Sequence, residues 1–196
     1  MRERINCMKI FQEGMFKQVW GLVLTHLYAV IISTLLGMGI MWWVLDKPVW
    51  SKVFSAVCML IYFSAVYSTA WNAAERDRKP YTTTKQYFFK GAVLSVGIIA
   101  VNLILWLLCK FAWEFLSIDG ALASYTAILY NVLFVFDTFI YTGFIKLSDG
   151  NMTWYGHIMI YLFPLAASFL GYIAGMRGFT LSDKLMPFIY EKRKND

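Results

Sequence analysis

Residues 91–113 read GAVLSVGIIAVNLILWLLCKFAW, from Gly91 to Trp113, and the first charge falls only at Lys110. A run this long and this apolar decides the fold class. Crossing a hydrocarbon core of about 30 Å takes roughly 20 apolar residues in a helix. Only a helix closes every backbone hydrogen bond within one such segment. The stretch is therefore expected to be a membrane span, with Asn102 in its middle.

Similar runs lie on both sides of it. Val19–Val44 ends in the aromatic pair Trp42-Trp43, at the level where interfacial aromatics gather. The turn Asp46-Lys47-Pro48 leads to a second span, 53–74. A third neighbour, 154–176, carries Gly171-x-x-x-Gly175 and contains Pro164, where a kink is expected. Ser64-x-x-x-Ser68 and Ala70-x-x-x-Ala74 place small residues four apart on the second span, a pattern that lets helix backbones approach. Composition agrees. Hydrophobic residues make up 59% of the 196 and charged residues 15%, against about 25% charged in soluble domains. One all-α membrane domain, 1–196, is the expected fold class.

Both ends read as interfacial amphipathic helices, 2–18 and 179–190. In the first, Ile5, Met8, Phe11 and Met15 gather opposite Arg2, Lys9, Glu13 and Lys17. The long apolar run that follows, without a small-residue cleavage site, does not fit a cleavable signal.

The segment 121–144 is ambiguous. It is long enough to span, yet it holds Asn131 and Asp137, and a carboxylate at that depth costs roughly 2.5–3.5 kcal/mol on insertion scales. Lys and Arg collect on the cytoplasmic side of membrane proteins, and their placement favours one topology. With five spans and a cytoplasmic N-terminus, ten Lys and Arg fall inside and eight outside. If 121–144 enters and leaves on one side, only Lys47, Lys52, Lys110 and Lys146 stay outside and fourteen fall inside. Four spans plus a re-entrant or broken segment, with both termini cytoplasmic, is the expected arrangement. Five plain spans is the alternative.

Asp137 is the sharpest candidate for chemistry, as an ion or solute ligand with Asn131 and Asn102 as neutral helpers. A structural acid at a segment end is the competing reading. Glu75, Arg76, Asp77 and Arg78 follow the second span and are expected either to form an ion-pair cluster or to sit in a solvated loop. His26 and His157 lack acidic or cysteine neighbours at ligand spacing, so no metal site is expected. Cys7, Cys58 and Cys109 show no CxxC spacing, and Cys58 and Cys109, inside or at the end of apolar runs, read as packing residues. No cofactor is implied. There is no Walker A loop, HExxH or GxSxG, so no enzymatic activity is expected. The net charge of +6 follows from the orientation rule and does not call for nucleic acid.

Two stretches carry a resemblance. Tyr67-Ser68-Thr69-Ala70-Trp71, Glu75-Arg76-Asp77-Arg78 and Lys90-Gly91 form one, and Gly171-Tyr172-Ile173-Ala174-Gly175 with Ser182, Lys184 and Leu185 forms the other. Together they resemble a group of small polytopic membrane proteins of Firmicutes, chiefly clostridia, with no assigned activity. The resemblance implies a bacterial cytoplasmic membrane and no reaction. The expected function is a non-catalytic membrane subunit or interaction protein, with the bilayer and a membrane partner or further copies of itself as its company. A small homo-oligomeric transporter or channel using Asp137 is the alternative.

Overall fold

The computed structural model describes residues 2–44, 47–80, 84–116, 139–141, 144, 147–148, 151–152 and 154–179. Four long helices dominate: α1 (Arg2–Val44), α2 (Pro48–Asp77), α3 (Lys90–Leu116) and α4 (Trp154–Met176). A 3-10 turn, Phe139–Tyr141, and the two-residue strands β1 (Leu147–Ser148) and β2 (Asn151–Met152) complete the described elements. The strands pair antiparallel, Leu147 with Met152 and Ser148 with Asn151.

Each of the four helices holds a segment long and apolar enough to cross a membrane: Gly14–Gly37, Val49–Asp77, Lys90–Leu108 and Trp154–Met176. Their outward faces expose Leu35, Leu60, Ile104, Leu108, Leu162 and Leu170. Apolar surface on this scale is unstable in water and at home in lipid. The chain is an integral membrane protein with four candidate spans.

Local chemistry sets the helix ends. Pro48 starts α2, where its missing N–H is no loss. α2 stops at Asp77, three residues before Pro80. α4 runs through Pro164 and closes at Gly178, whose φ is +65°, a conformation that glycine adopts freely. There Phe179 N–H donates to Ala174 O and Gly178 N–H donates to Gly175 O.

Residues 2–18, expected as an interfacial helix, continue without a break into the first span as α1. No proline and no capping glycine interrupts the chain between Gln18 and Val19, and helix propagation is cheap once nucleated. Forty-three residues make about 65 Å of helix, so part of α1 stands outside a hydrocarbon core of about 30 Å. The second expected interfacial helix, 179–190, lies outside the described residues beyond Phe179, as does most of 121–144.

Helix directions follow from the contacts. α1 lies antiparallel to α2, with Gln18 on Asp77, Thr25 on Thr69 and His26 on Tyr62. α2 and α4 run parallel, with Gly171 against Tyr67 and Gly175 against Trp71. α3 opposes α4, with Gly91 against Ser168 and Tyr172 and Trp106 edge-on to His157. The end of α3 and the start of α4 therefore lie at the same end of the bundle. The 3-10 turn sits at that end too, where Ser55 Oγ donates to Ile140 O at 2.6 Å.

Candidate functional site

The most unusual chemistry in the bundle is a buried charge pair. Lys90, the first residue of α3, is fully buried, and Asp77, the last of α2, is 7% exposed. The Lys90 ammonium lies 2.5 Å from Asp77 Oδ2. Buried charges are tolerated only when paired and hydrogen-bonded, and here all four helices or their links contribute. Tyr172 Oη on α4 donates to Oδ2 at 2.8 Å. Gln18 Nε2 on α1 donates to Oδ1 at 2.8 Å. The Thr84 hydroxyl, in the α2–α3 link, also donates to Oδ1. A carboxylate has about four lone-pair sites, and four donors fill them.

Lys90 reaches further. Its ammonium lies 3.5 Å from Lys85 O and 5.9 Å from the centre of the Tyr172 ring. Gln86 Nε2 donates to Ala74 O at 3.2 Å and ties the link back to α2. Partial burial, then the Asp77 charge, hold the Tyr87 hydroxyl above the usual phenol range, so it stays neutral near pH 7.

Glycines let the helices close around this centre. A Cβ on Gly91 would stand 2.8 Å from Ser168 O and 2.7 Å from Tyr172 Cβ. Ser168 Oγ donates to Gly91 O at 2.7 Å. This close approach brings Lys90 and Tyr172 within reach of one carboxylate.

A second polar level lies two turns further along α1. His26 Nδ1 is 2.9 Å from Tyr62 Oη, and the rings meet edge to face. Asn102 faces His26, but its Oδ1 makes no hydrogen bond of ordinary geometry. Beyond it Ser33 lies beside Cys58. Between this level and Asp77 stand Leu22, Val66, Ala70, Leu94 and Ile98, all fully buried in one apolar cluster. Thr25 and Thr69, 3.0 Å apart between their hydroxyls, lie at the same level.

The residues expected from the sequence separate accordingly. Asn102 is buried, 3% exposed, on the inner face of α3. Asp137 and Asn131 lie outside the described residues. Of the four charges after the second span, Asp77 turns inward to Lys90, while Glu75, Arg76 and Arg78 are exposed. Arg76 Nε donates to Asn72 O at 3.3 Å, and the Arg78 guanidinium packs on Gly178. Lys90, Tyr172, Gln18 and Thr84 were not anticipated. The orientation count puts Lys90 among the fourteen cytoplasmic cations. Its place at the first position of an apolar run, opposite an acid at the last position of another, was the available signal. His157 stacks on Tyr161 within α4. Among the described residues no group of three His, Cys, Asp or Glu could hold a metal. No protein-family model, curated protein or solved structure matches the chain.

Proposed function

We propose that the chain is a non-catalytic subunit or interaction protein of a bacterial cytoplasmic membrane. The observation that carries this reading is the saturation of Asp77: four donors from the chain itself occupy its oxygens. A carboxylate so occupied fixes helices and has no lone pair left for a passing ion. The fully buried apolar residues Leu22, Val66, Leu94 and Ile98 beside this centre fit the same reading.

The orientation that fits places the Asp77 end in the cytoplasm. Exposed Lys17, Arg76, Arg78, Lys79, Lys85 and Arg177 lie at that end, against exposed Lys47 and Lys52 at the other. With α3 ending and α4 beginning at one face, segment 121–144 would leave and return on that face, and both termini would be cytoplasmic.

Transport remains the second reading, because Asn102 and Ser33 are polar side chains buried inside the bundle. On that reading Asp137 would act with Asn102 in a homo-oligomer. Gentle extraction followed by mass measurement of the intact complex separates the two. A stoichiometric second membrane protein is expected. A pure homo-oligomer whose vesicles lose a solute flux on Asp137→Asn would replace the first reading with the second.

A further inference from the structure

The outward face of α2 is polar where those of α3 and α4 are apolar. Along α3 and α4 the exposed side chains include Val96, Leu103, Ile104, Ile158, Leu162 and Leu170. On α2 they begin apolar, with Val57, Leu60 and Ile61, and then change to Ser64, Ser68 and Asn72. These last three stand four residues apart and form one row along the helix. Ser64 Oγ donates to Leu60 O at 2.7 Å, and such a hydroxyl still has a lone pair with which to accept. Acyl chains offer hydroxyls and amides no hydrogen bond. A facing helix does, and small side chains let its backbone approach.

The row ends in two opposite charges. Glu75 and Arg76 are both exposed in the last turn of α2. Arg76 uses one donor, Nε, on Asn72 O at 3.3 Å, and a guanidinium has others to give. As neighbours in sequence, the two charges stand at one depth. Copies of one chain enter a membrane in the same direction, because the same Lys and Arg orient each of them. Two copies in contact are then related by a two-fold axis along the membrane normal, and the same patch meets itself. Each level of α2 faces the same level of its mate. Ser64, Ser68 and Asn72 meet their own kind, and each Glu75 comes beside the Arg76 of the second copy. The face is its own complement in size, hydrogen bonding and charge.

We propose that a second copy of this chain docks on the outward face of α2, helix against helix. Rows of side chains four apart on both helices pack at a crossing angle of about −40 to −50°. The closest approach then falls near Ser68, and the helices splay towards the ends, where the long side chains of Glu75 and Arg76 bridge the wider gap. Such a pair needs this chain alone, so it stands or falls apart from the subunit reading.

The test uses the purified full-length chain, reconstituted alone into phosphatidylcholine vesicles, with Cys7, Cys58 and Cys109 replaced by alanine. Single cysteines are placed at Ser64, Ser68, Ile104 and Leu162, all exposed. A disulfide forms only where the two Cα atoms come within about 7 Å. On oxidation with copper phenanthroline, Ser64→Cys and Ser68→Cys are expected to give linked dimers, because a two-fold contact brings each position to its own mate. Ile104→Cys on α3 and Leu162→Cys on α4 should stay monomeric. With Ser68→Cys present, Glu75→Arg or Arg76→Glu alone should cut the dimer yield several-fold, since each sets like charges side by side. The two exchanges together should restore it. Equal yields at all four cysteines would mean random collision and overturn the proposal, as would the absence of dimer at both Ser64 and Ser68. A double exchange no better than the single ones would overturn the matched charges. The four-cysteine comparison stands even if a charge variant fails to insert.

Discussion

Lys90 is the residue on which the bundle's electrostatics turn. Lys90→Met leaves the Asp77 carboxylate without its cation in a site that is closed to water. Removing one partner of a buried pair costs about 3–5 kcal/mol, whereas replacing both by apolar residues is often neutral. Unfolding in detergent should show that large loss for Lys90→Met and its partial recovery in Lys90→Met, Asp77→Leu. A double variant as unstable as the single one would mean that the pair's other partners matter more than its charge. Tyr172→Phe removes one donor to a charged acceptor, a change of roughly 1.5–3 kcal/mol, and the same unfolding assay reads it. The sequence showed Asp77 as a charge near a span end. It did not show Lys90 as its partner, because counting cations for orientation treats a lysine in the loop and a lysine at the first helical position alike. The pairing exists only once α2, α3 and α4 have packed.

At the scale of the element, the contact between α2 and α4 rests on backbone approach. A Cβ at Gly171 would collide with the carbonyl oxygen of Tyr67, and one at Gly175 would lie 2.6 Å from Trp71 O. A backbone oxygen cannot swing aside, so the helices must separate. Gly171→Ala and Gly175→Ala are each expected to cost about 1–3 kcal/mol, the usual range for overpacking. Gly21 offers the contrast, since nothing lies within 4 Å of its added Cβ. Gly21→Ala should be neutral or stabilising by up to about 1 kcal/mol, because alanine is the better helix former. Thermal unfolding of the three variants side by side checks this; a loss at Gly21 as large as at Gly171 would show that the close approach is not what matters. The Gly171-x-x-x-Gly175 spacing was plain in the sequence, but its partner helix was not. α2 carries two small-residue stripes, and only one is inside: Ala70 and Ala74 are fully buried, while Ser64 and Ser68 are exposed. Four-residue spacing is the same in both. Likewise the hydrophobic face of 2–18 was legible, but amphipathicity alone does not show whether such a helix stops at the interface or, as α1 does, runs on as a span.

For the whole molecule, the helix directions and the charge asymmetry both bear on the proposed topology. Packing places the end of α3 and the start of α4 at a common face. The distribution of Lys and Arg, fourteen against four, favours the same even number of crossings from sequence alone. The four apolar runs at 19–44, 53–74, 91–113 and 154–176 were legible because hydropathy acts on each helix separately. The candidate site was not, because it needs side chains from α1, α2, the α2–α3 link, α3 and α4 at once. A cysteine scan tests the topology in a background with Cys7, Cys58 and Cys109 replaced. Lys47→Cys should react with a membrane-impermeant maleimide in intact cells. Lys85→Cys and a cysteine added at the C-terminus should react only after the cells are opened. Labelling of Lys85→Cys from outside would reverse the orientation. Labelling of the C-terminal cysteine from outside, with Lys85→Cys protected, would give the chain a fifth crossing. That crossing would have to be made by 121–144, and it would bring Asp137 to membrane depth and with it the transport reading.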